Sequence, residues 1–250
     1  MVELLAQLNS QGEVALSDLA RELKASEATI RRDVAMLADQ GLLIRTHGGA
    51  RPVNGLTELP VQLRGGRNRL AKQRIARRAA EEIPRGRHAM ALTGGTTAVE
   101  VLRALQHRHD LTIITNSITI ALEAANQGQS RVLIAGGVLR TCSMELVGSL
   151  TENTFKHVNV ATAIVGTDGI SVAGGVTTHD DIEARTNHTM IERAQRVIVV
   201  ADSSKVGRVT LAKLANLSEV DLLITDDGAD PEEVARIRRA GVQVELVSAS

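Results

Sequence analysis

The chain has 250 residues, 43% hydrophobic and 23% charged, with a formal net charge of zero at pH 7. These are ordinary values for a soluble globular protein, and the length allows a small domain beside a larger one with its own core. No apolar run approaches the roughly 20 residues that span a bilayer, and no signal-peptide pattern opens the sequence. The expected location is therefore the cytoplasm, without membrane contact. Cys142 is the one cysteine and cannot form an internal disulfide, which suits a reducing compartment. Phe155 is the only aromatic residue, which argues against stacking on single-stranded nucleic acid or RNA.

In chain order, "VELLAQLNSQG" predicts a helix ended by Gly12. "LSDLARELK" predicts a second, with Ser17 as N-cap and Leu19, Ala20 and Leu23 on one face. After a break at Ala25, Ser26 caps a third helix whose inward stripe is Ile30, Val34, Leu37 and Ala38. The pair reads as a helix-turn-helix, about residues 14–33, whose second helix places its N-terminal residues in a major groove. Thr29, Arg31 and Arg32 fall off the inward stripe. Adjacent helical arginines lie about 100° apart, so one can read a base edge while the other grips a backbone phosphate.

"GLLIRTHGGARPV" follows, with Leu42 and Ile44 alternating with polar residues and a tight turn at Gly48–Gly49. This predicts the β-wing of a winged helix, with Arg45, His47 and Arg51 along the duplex. Short helix pairs are common in ordinary cores. Cap, arginines and wing in this order favour double-stranded DNA binding instead.

"ARPVNGLTELPVQLRGG" then interrupts every pattern with Pro52, Gly55, Pro60, Gly65 and Gly66. Residues 52–78 hold seven basic side chains (Arg64, Arg67, Arg69, Lys72, Arg74, Arg77, Arg78) and one acidic, Glu58. Such a band often touches phosphate, and a solvated helix is the plainer alternative. The expected division is a winged helix over 1–52, a linker with a basic helix over 53–80, and a larger domain over 81–250.

That larger domain contains seven apolar runs: "AMALTGG", "LTIITN", "RVLIAGG", "VATAIVGTDG", "RVIVVAD", "DLLITDD" and "VQVELV". Strands buried on both faces read this way, and helical stretches between them predict a largely parallel α/β sheet covered on both sides. In "LTGGTTAVEVLRAL" a strand passes through Gly94 and Gly95 into a helix beginning at Thr96 or Thr97. The glycines let the backbone approach an anion, which the helix N-terminus and the hydroxyls can bind. No lysine follows as in a P-loop. Asn116 and Ser117, Asp168, and Asp202 through Lys205 follow other strands. Alone, each is more often a helix cap than a ligand. Four at equivalent ends of one sheet point to a shared pocket for a phosphorylated, hydroxylated molecule.

At this point the sequence resembles a known family. "LSDLARELKASEATIRRDVAMLADQGLLIRTHGGA" is similar to the N-terminal domain of DeoR family transcriptional regulators, "TIRRD" and "HGGA" being its most specific parts. The resemblance continues through "GGTT" at 94–97, "TNS" at 115–117, Gly136 and Gly137 with Arg140, Gly148, "GTDGI" at 166–170 and "DSSK" at 202–205. It implies a repressor, or less often an activator, of carbohydrate catabolism genes, released from its operator by a phosphorylated sugar or related intermediate. It also implies a Rossmann-like C-terminal domain similar to ribose-5-phosphate isomerase, and a homo-oligomer, dimer or tetramer. DNA contacts are expected from Ser26, Thr29, Arg31, Arg32, Arg45, His47, Gly48 and Arg51. Effector contacts are expected from Gly94, Gly95, Thr96, Thr97, Asn116, Ser117, Gly136, Gly137, Arg140, Asp168 and Lys205. One departure is Thr93–Gly94, where the family often carries aspartate and serine, so a sugar hydroxyl is expected to be held differently here.

Four other readings are weaker. An isomerase-like enzyme with an accessory DNA domain would use Asp168, Glu183 and Lys205 for acid–base chemistry, leaving wing and basic band idle. A nonspecific nucleoid-type DNA binder conflicts with zero net charge and leaves the pocket unexplained. Metal binding by His107, His109, His179, Asp180, Asp181, Glu183 or His188 lacks cysteine pairs and HExxH spacing, so neither metal nor cofactor is expected. Cys142 has only Arg140 nearby to lower its thiol pKa, a poor basis for a redox switch.

Overall fold

The computed structural model describes residues 1–39, 41–53, 58–128 and 131–248; the chain break expected at Gly55 lies outside them. Two compact units divide the chain, Met1–Arg64 and Gly65–Ser250.

The first unit contains α1 (Val2–Gln11), β1 (Val14–Ala15), α2 (Leu16–Glu22), α3 (Glu27–Asp39), β2 (Leu43–Thr46), β3 (Gly49–Pro52) and α4 (Val61–Arg64). Leu4, Leu8, Leu19, Ile30, Val34 and Leu37 are buried together, so each helix contributes one apolar stripe to a common core. Gly12 ends α1 with a positive φ, its N–H donating to the Leu8 carbonyl. Ser26 caps α3 as expected, its Oγ accepting from the Thr29 N–H at 3.1 Å. Ser17 does not cap α2. Val14 and Ala15 are drawn into a third wing strand beside β3, which makes Ala15 the N-cap and starts the helix at Leu16. The wing also differs by one residue in parity. Leu42 and Leu43 are buried and Ile44 is exposed, because Leu42 belongs to the approach to β2 rather than to the strand. The turn falls at His47–Gly48, and Gly49 already pairs with Thr46.

The second unit begins with α5 (Arg69–Glu81), β4 (His88–Leu92), α6 (Thr96–Ala104), β5 (Leu111–Thr115), α7 (Ile118–Asn126) and β6 (Arg131–Ile134). A hairpin of β7 (Val138–Arg140) and β8 (Glu145–Val147) leads to α8 (Ser149–Lys156) and β9 (Val160–Gly166). Next come β10 (Gly169–Ser171), β11 (Gly175–Thr178), α9 (Asp181–Ile191), β12 (Ala194–Val200), β13 (Ala212–Ala215), β14 (Leu222–Asp226), α10 (Pro231–Arg239) and β15 (Gln243–Val247). The main sheet has the order β15-β14-β12-β9-β4-β5-β6, and all its neighbouring pairs are parallel. Its seven strands are those of the seven apolar runs. Alternate residues feed two cores. Ala91, Ala163, Val165 and Val199 join Phe155 of α8 and Ile237 of α10; Met90, Leu92, Ile164 and Ile198 join Ile75 of α5 and Leu102 of α6.

The basic helix is not a separate linker. Ala71, Ile75, Ala76 and Ala79 bury one face of α5, which packs on α6 and the sheet, so the helix belongs to the second unit. The short α4 belongs to the first, and the division falls at Gly65.

Phe155 is fully buried where α8 covers the sheet. Phe155→Ala is expected to lower unfolding stability of the second unit by about 3–5 kcal/mol. Urea denaturation followed by circular dichroism suits a chain without Trp or Tyr; a loss below about 1 kcal/mol would contradict this packing.

Candidate DNA-binding surface and effector site

In the first unit the burial of Ile30, Val34 and Leu37 turns the opposite side of α3 outward, and Ser26, Thr29, Arg31 and Arg32 are exposed there. Arg45, His47, Gly48 and Arg51 are exposed on the wing. Arg21 of α2 is paired with Asp18 at 2.6 Å. Arg31, Arg32, Arg45 and Arg51 have no such partner among the described residues, so these cations stand free for phosphate or base edges.

In the second unit, parallel pairing brings every strand's carboxyl end to one edge of the sheet. The strand order reverses between β4 and β9, and at such a switch point the connections leave in opposite directions and open a crevice. Both lips carry expected site residues. On the β4 side, Gly95 is the N-cap of α6 with φ 111, a conformation that favours glycine, and Thr96 and Thr97 form the first turn. On the β9 side lie Gly166 and Asp168. Thr93 braces the two lips. Its buried Oγ1 accepts from the Gly166 N–H at 2.9 Å and donates to the Gly94 carbonyl at 3.3 Å, so it serves the backbone.

The Gly94 N–H donates to Glu145 Oε1 of β8 at 2.6 Å, and a Cβ at Gly94 would lie 2.7 Å from that side chain. An internal carboxyl thus holds one of the donors expected to face an anion. Asn187 of α9 donates to the same Oε1 at 3.3 Å, and Asn116 donates to Asn187 at 3.0 Å and to the Leu146 carbonyl at 3.1 Å. Asn116 Oδ1 is buried with no donor among the described residues. The adjacent Ser117 is a helix cap, its Oγ accepting from the Ile120 N–H.

A second network runs alongside. Arg140 of β7 pairs with Asp180 at 3.1 Å and Glu183 at 3.0 Å, while Lys205 pairs with Asp168 at 3.2 Å. The Thr178 hydroxyl sits between them, 2.6 Å from Glu183 Oε1 and 3.2 Å from Asp168 Oδ2. Burial, then the charge of Glu183, pushes the Glu145 carboxyl up to about 8. Burial also raises Glu183, against the stabilising Thr178 and Arg140. Gly94, Asn116, Arg140, Asp168 and Lys205 are therefore brought into one cluster. Gly136 and Gly137 stand one layer away: the Gly136 carbonyl accepts from Thr151, and a Cβ on Gly137 would press on Thr151 and on the Val147 carbonyl. The residues that sequence reasoning missed are Glu145, Asn187 and Thr178. Only Glu145 left a signal, since along β8 it shares the inward parity of Val147.

A separate cleft of about 650 Å³ lies beside α9, lined by Arg185, His188, Leu211, Lys213 and Leu214 among others. It contains none of the expected site residues. Among the described residues no helix is long and apolar enough to cross a membrane.

A winged helix joined to a parallel α/β domain with a polar cluster at its switch point defines a transcriptional regulator with a sensor domain. Residues 1–54 match the DeoR-like helix-turn-helix domain and residues 67–227 the DeoR C terminal sensor domain. The chain belongs to the DeoR family. It is 37% identical to the HTH-type transcriptional regulator GlpR of Haloferax volcanii, across 98% of this chain and 94% of that protein. It is 34% identical to a putative aga operon transcriptional repressor of Escherichia coli O157:H7, across 98% and 92%. It is also 34% identical to the glycerol-3-phosphate regulon repressor of Escherichia coli K12, across 90% and 88%. These relatives are regulators, and this chain is a regulator rather than an isomerase. Ribose 5-phosphate isomerase from Plasmodium falciparum is similar at TM-score 0.41 and 19% identity, across 55% of this chain and 52% of that one.

The raised Glu145 carboxyl has a defined consequence. Between its ordinary 4.5 and about 8 the folded chain holds a proton that the unfolded chain has released, so stability falls as pH rises through this window. Glu145→Gln, which copies the neutral form, is expected to flatten thermal stability between pH 6 and 8.5. At the upper end the variant should be the more stable of the two proteins. Parallel pH profiles for the two proteins would refute a neutral Glu145.

Proposed function

We propose that this regulator represses carbohydrate catabolism genes and leaves its operator when a phosphorylated sugar or related metabolite occupies the strand-end cluster. The observation that carries the reading is the convergence of Arg140, Lys205, the α6 N-terminus and the unpartnered Asn116 Oδ1 on one edge of the sheet. Two cations and a helix N-terminus suit a phosphate, and the amide and carboxylates suit hydroxyl groups. A relative named for a glycerol-3-phosphate regulon fits this chemistry. Both cations are held by carboxylates, so a phosphate must exchange partners with Asp168 or Glu183. Such an exchange gives bound and free forms different internal contacts, and that difference is what lets a ligand shift populations.

The chain acts in the cytoplasm as a homo-oligomer, with the effector as its only small-molecule requirement. One winged helix contacts a single groove segment, whereas two-fold pairing supplies two half-sites about 10 base pairs or a multiple apart. Effector binding then favours an arrangement that no longer matches both half-sites.

The test is operator binding by fluorescence anisotropy, with ribose 5-phosphate, glucose 6-phosphate, fructose 6-phosphate and glycerol 3-phosphate added in turn. At least one should raise the melting temperature and weaken operator binding. Lys205→Ala should bind operator as wild type does and no longer respond. Arg31→Ala or Arg32→Ala should cost about 1–3 kcal/mol of operator affinity at whichever position reads a base. Unchanged operator affinity in both arginine variants would overturn the DNA surface, and a full response in Lys205→Ala would overturn the effector site.

A further inference from the structure

The sensor unit begins with three exposed residues in a turn, Gly65, Gly66 and Arg67. Gly65 and Gly66 are exposed, and a Cβ at either would meet nothing within 4 Å. The Arg67 side chain is exposed and has no partner among the described residues. Asn68 is the first anchor after Arg64, the last residue of the DNA-binding unit.

Its anchoring is unusual. Asn68 is the N-cap of α5, where asparagine normally accepts a hydrogen bond from the helix's own first turn. Here it makes no such bond and sits in the left-handed region, φ 51 and ψ 35. Its Nδ2 instead donates to Asp202 Oδ1 at 2.8 Å, across 134 residues of sequence. The tertiary hydrogen bond to Asp202 thus takes the place of the local cap.

The acceptor belongs to the effector site's machinery. Asp202 is buried at the end of β12, and the same Oδ1 accepts from the Ser204 N–H at 3.2 Å and from the Ser204 hydroxyl at 2.5 Å. It thereby caps the short turn Ser203–Lys205, whose Lys205 N–H also donates to the Asp202 carbonyl. Lys205 reaches from this turn to Asp168. The turn that carries Lys205 therefore shares its capping oxygen with Asn68.

We infer that the Asn68–Asp202 hydrogen bond is the joint through which ligand binding at the Lys205 turn acts on the segment leading to the DNA-binding unit. This inference builds on the effector site proposed above and assigns its output. Asn68 is a positioning residue: it touches neither ligand nor DNA and passes a displacement from one side chain to the connector.

The test separates ligand binding from response in the full chain, using whichever of the four phosphorylated compounds above most stabilises the wild type. Asn68→Gly keeps the left-handed backbone and removes the amide. It should show wild-type operator affinity and a wild-type thermal shift with the ligand. Its ratio of operator affinities without and with ligand should fall to within about twofold of one, where allosteric couplings commonly reach about 5- to 150-fold. Asn68→Asp sets two carboxylates together and should lose the response in the same way. Wild-type release in Asn68→Gly would overturn the joint, as would loss of ligand binding in that variant, which would place Asn68 in the site itself. Failure of all four compounds to stabilise the wild type would overturn the effector reading and the joint with it.

Discussion

Parallel strand pairing is the constraint on which the rest of this structure depends. Each strand of the main sheet must return through a crossover, so all carboxyl ends emerge on one edge. That geometry brings Gly94, Asn116, Asp168 and Lys205 together although they span more than a hundred residues of sequence. Reversal of the strand order between β4 and β9 then sends the connections on either side in opposite directions. Thr93, bonded to the Gly166 N–H, holds the two lips of this switch point in register.

Within that edge the electrostatics favour exchange over permanence. Burying carboxylates costs free energy that only cations, hydrogen bonds or a proton can offset. Asp168 has Lys205, Glu183 has Arg140 and Thr178, and Glu145 is held near neutrality by burial with the Gly94 N–H against it. An arriving anion with hydroxyl groups would offer each of these groups a new partner.

The main architecture was legible because its signals are local. The seven strands are continuous apolar runs, and the recognition helix shows its cap and stripe within a dozen residues. Elements with short or polar sequences were not legible. β10 and β11 have no distinctive apolar run, and β1 exists only because β3 lies beside it. The Ser17 cap failed for that tertiary reason, and the parity of Ile44 failed because two consecutive leucines are buried for different purposes. Likewise the basic band reads as a connector by charge, whereas α5 is committed to the core by Ala71, Ile75, Ala76 and Ala79. In the site, residues at strand ends could be named in advance. Asn187 could not, since an asparagine inside a helix reads as surface until the fold buries it, and Glu145 left only its shared parity with Val147.

The central claim is that a phosphorylated metabolite binds at the strand ends. Hydrogen–deuterium exchange by mass spectrometry on the full chain, with and without the most stabilising of the four compounds, addresses it most directly. Protection is expected in peptides covering residues 93–97, 116–118 and 202–206. Protection confined to the cleft between α9 and β13, around Arg185, His188 and Leu211, would contradict the account.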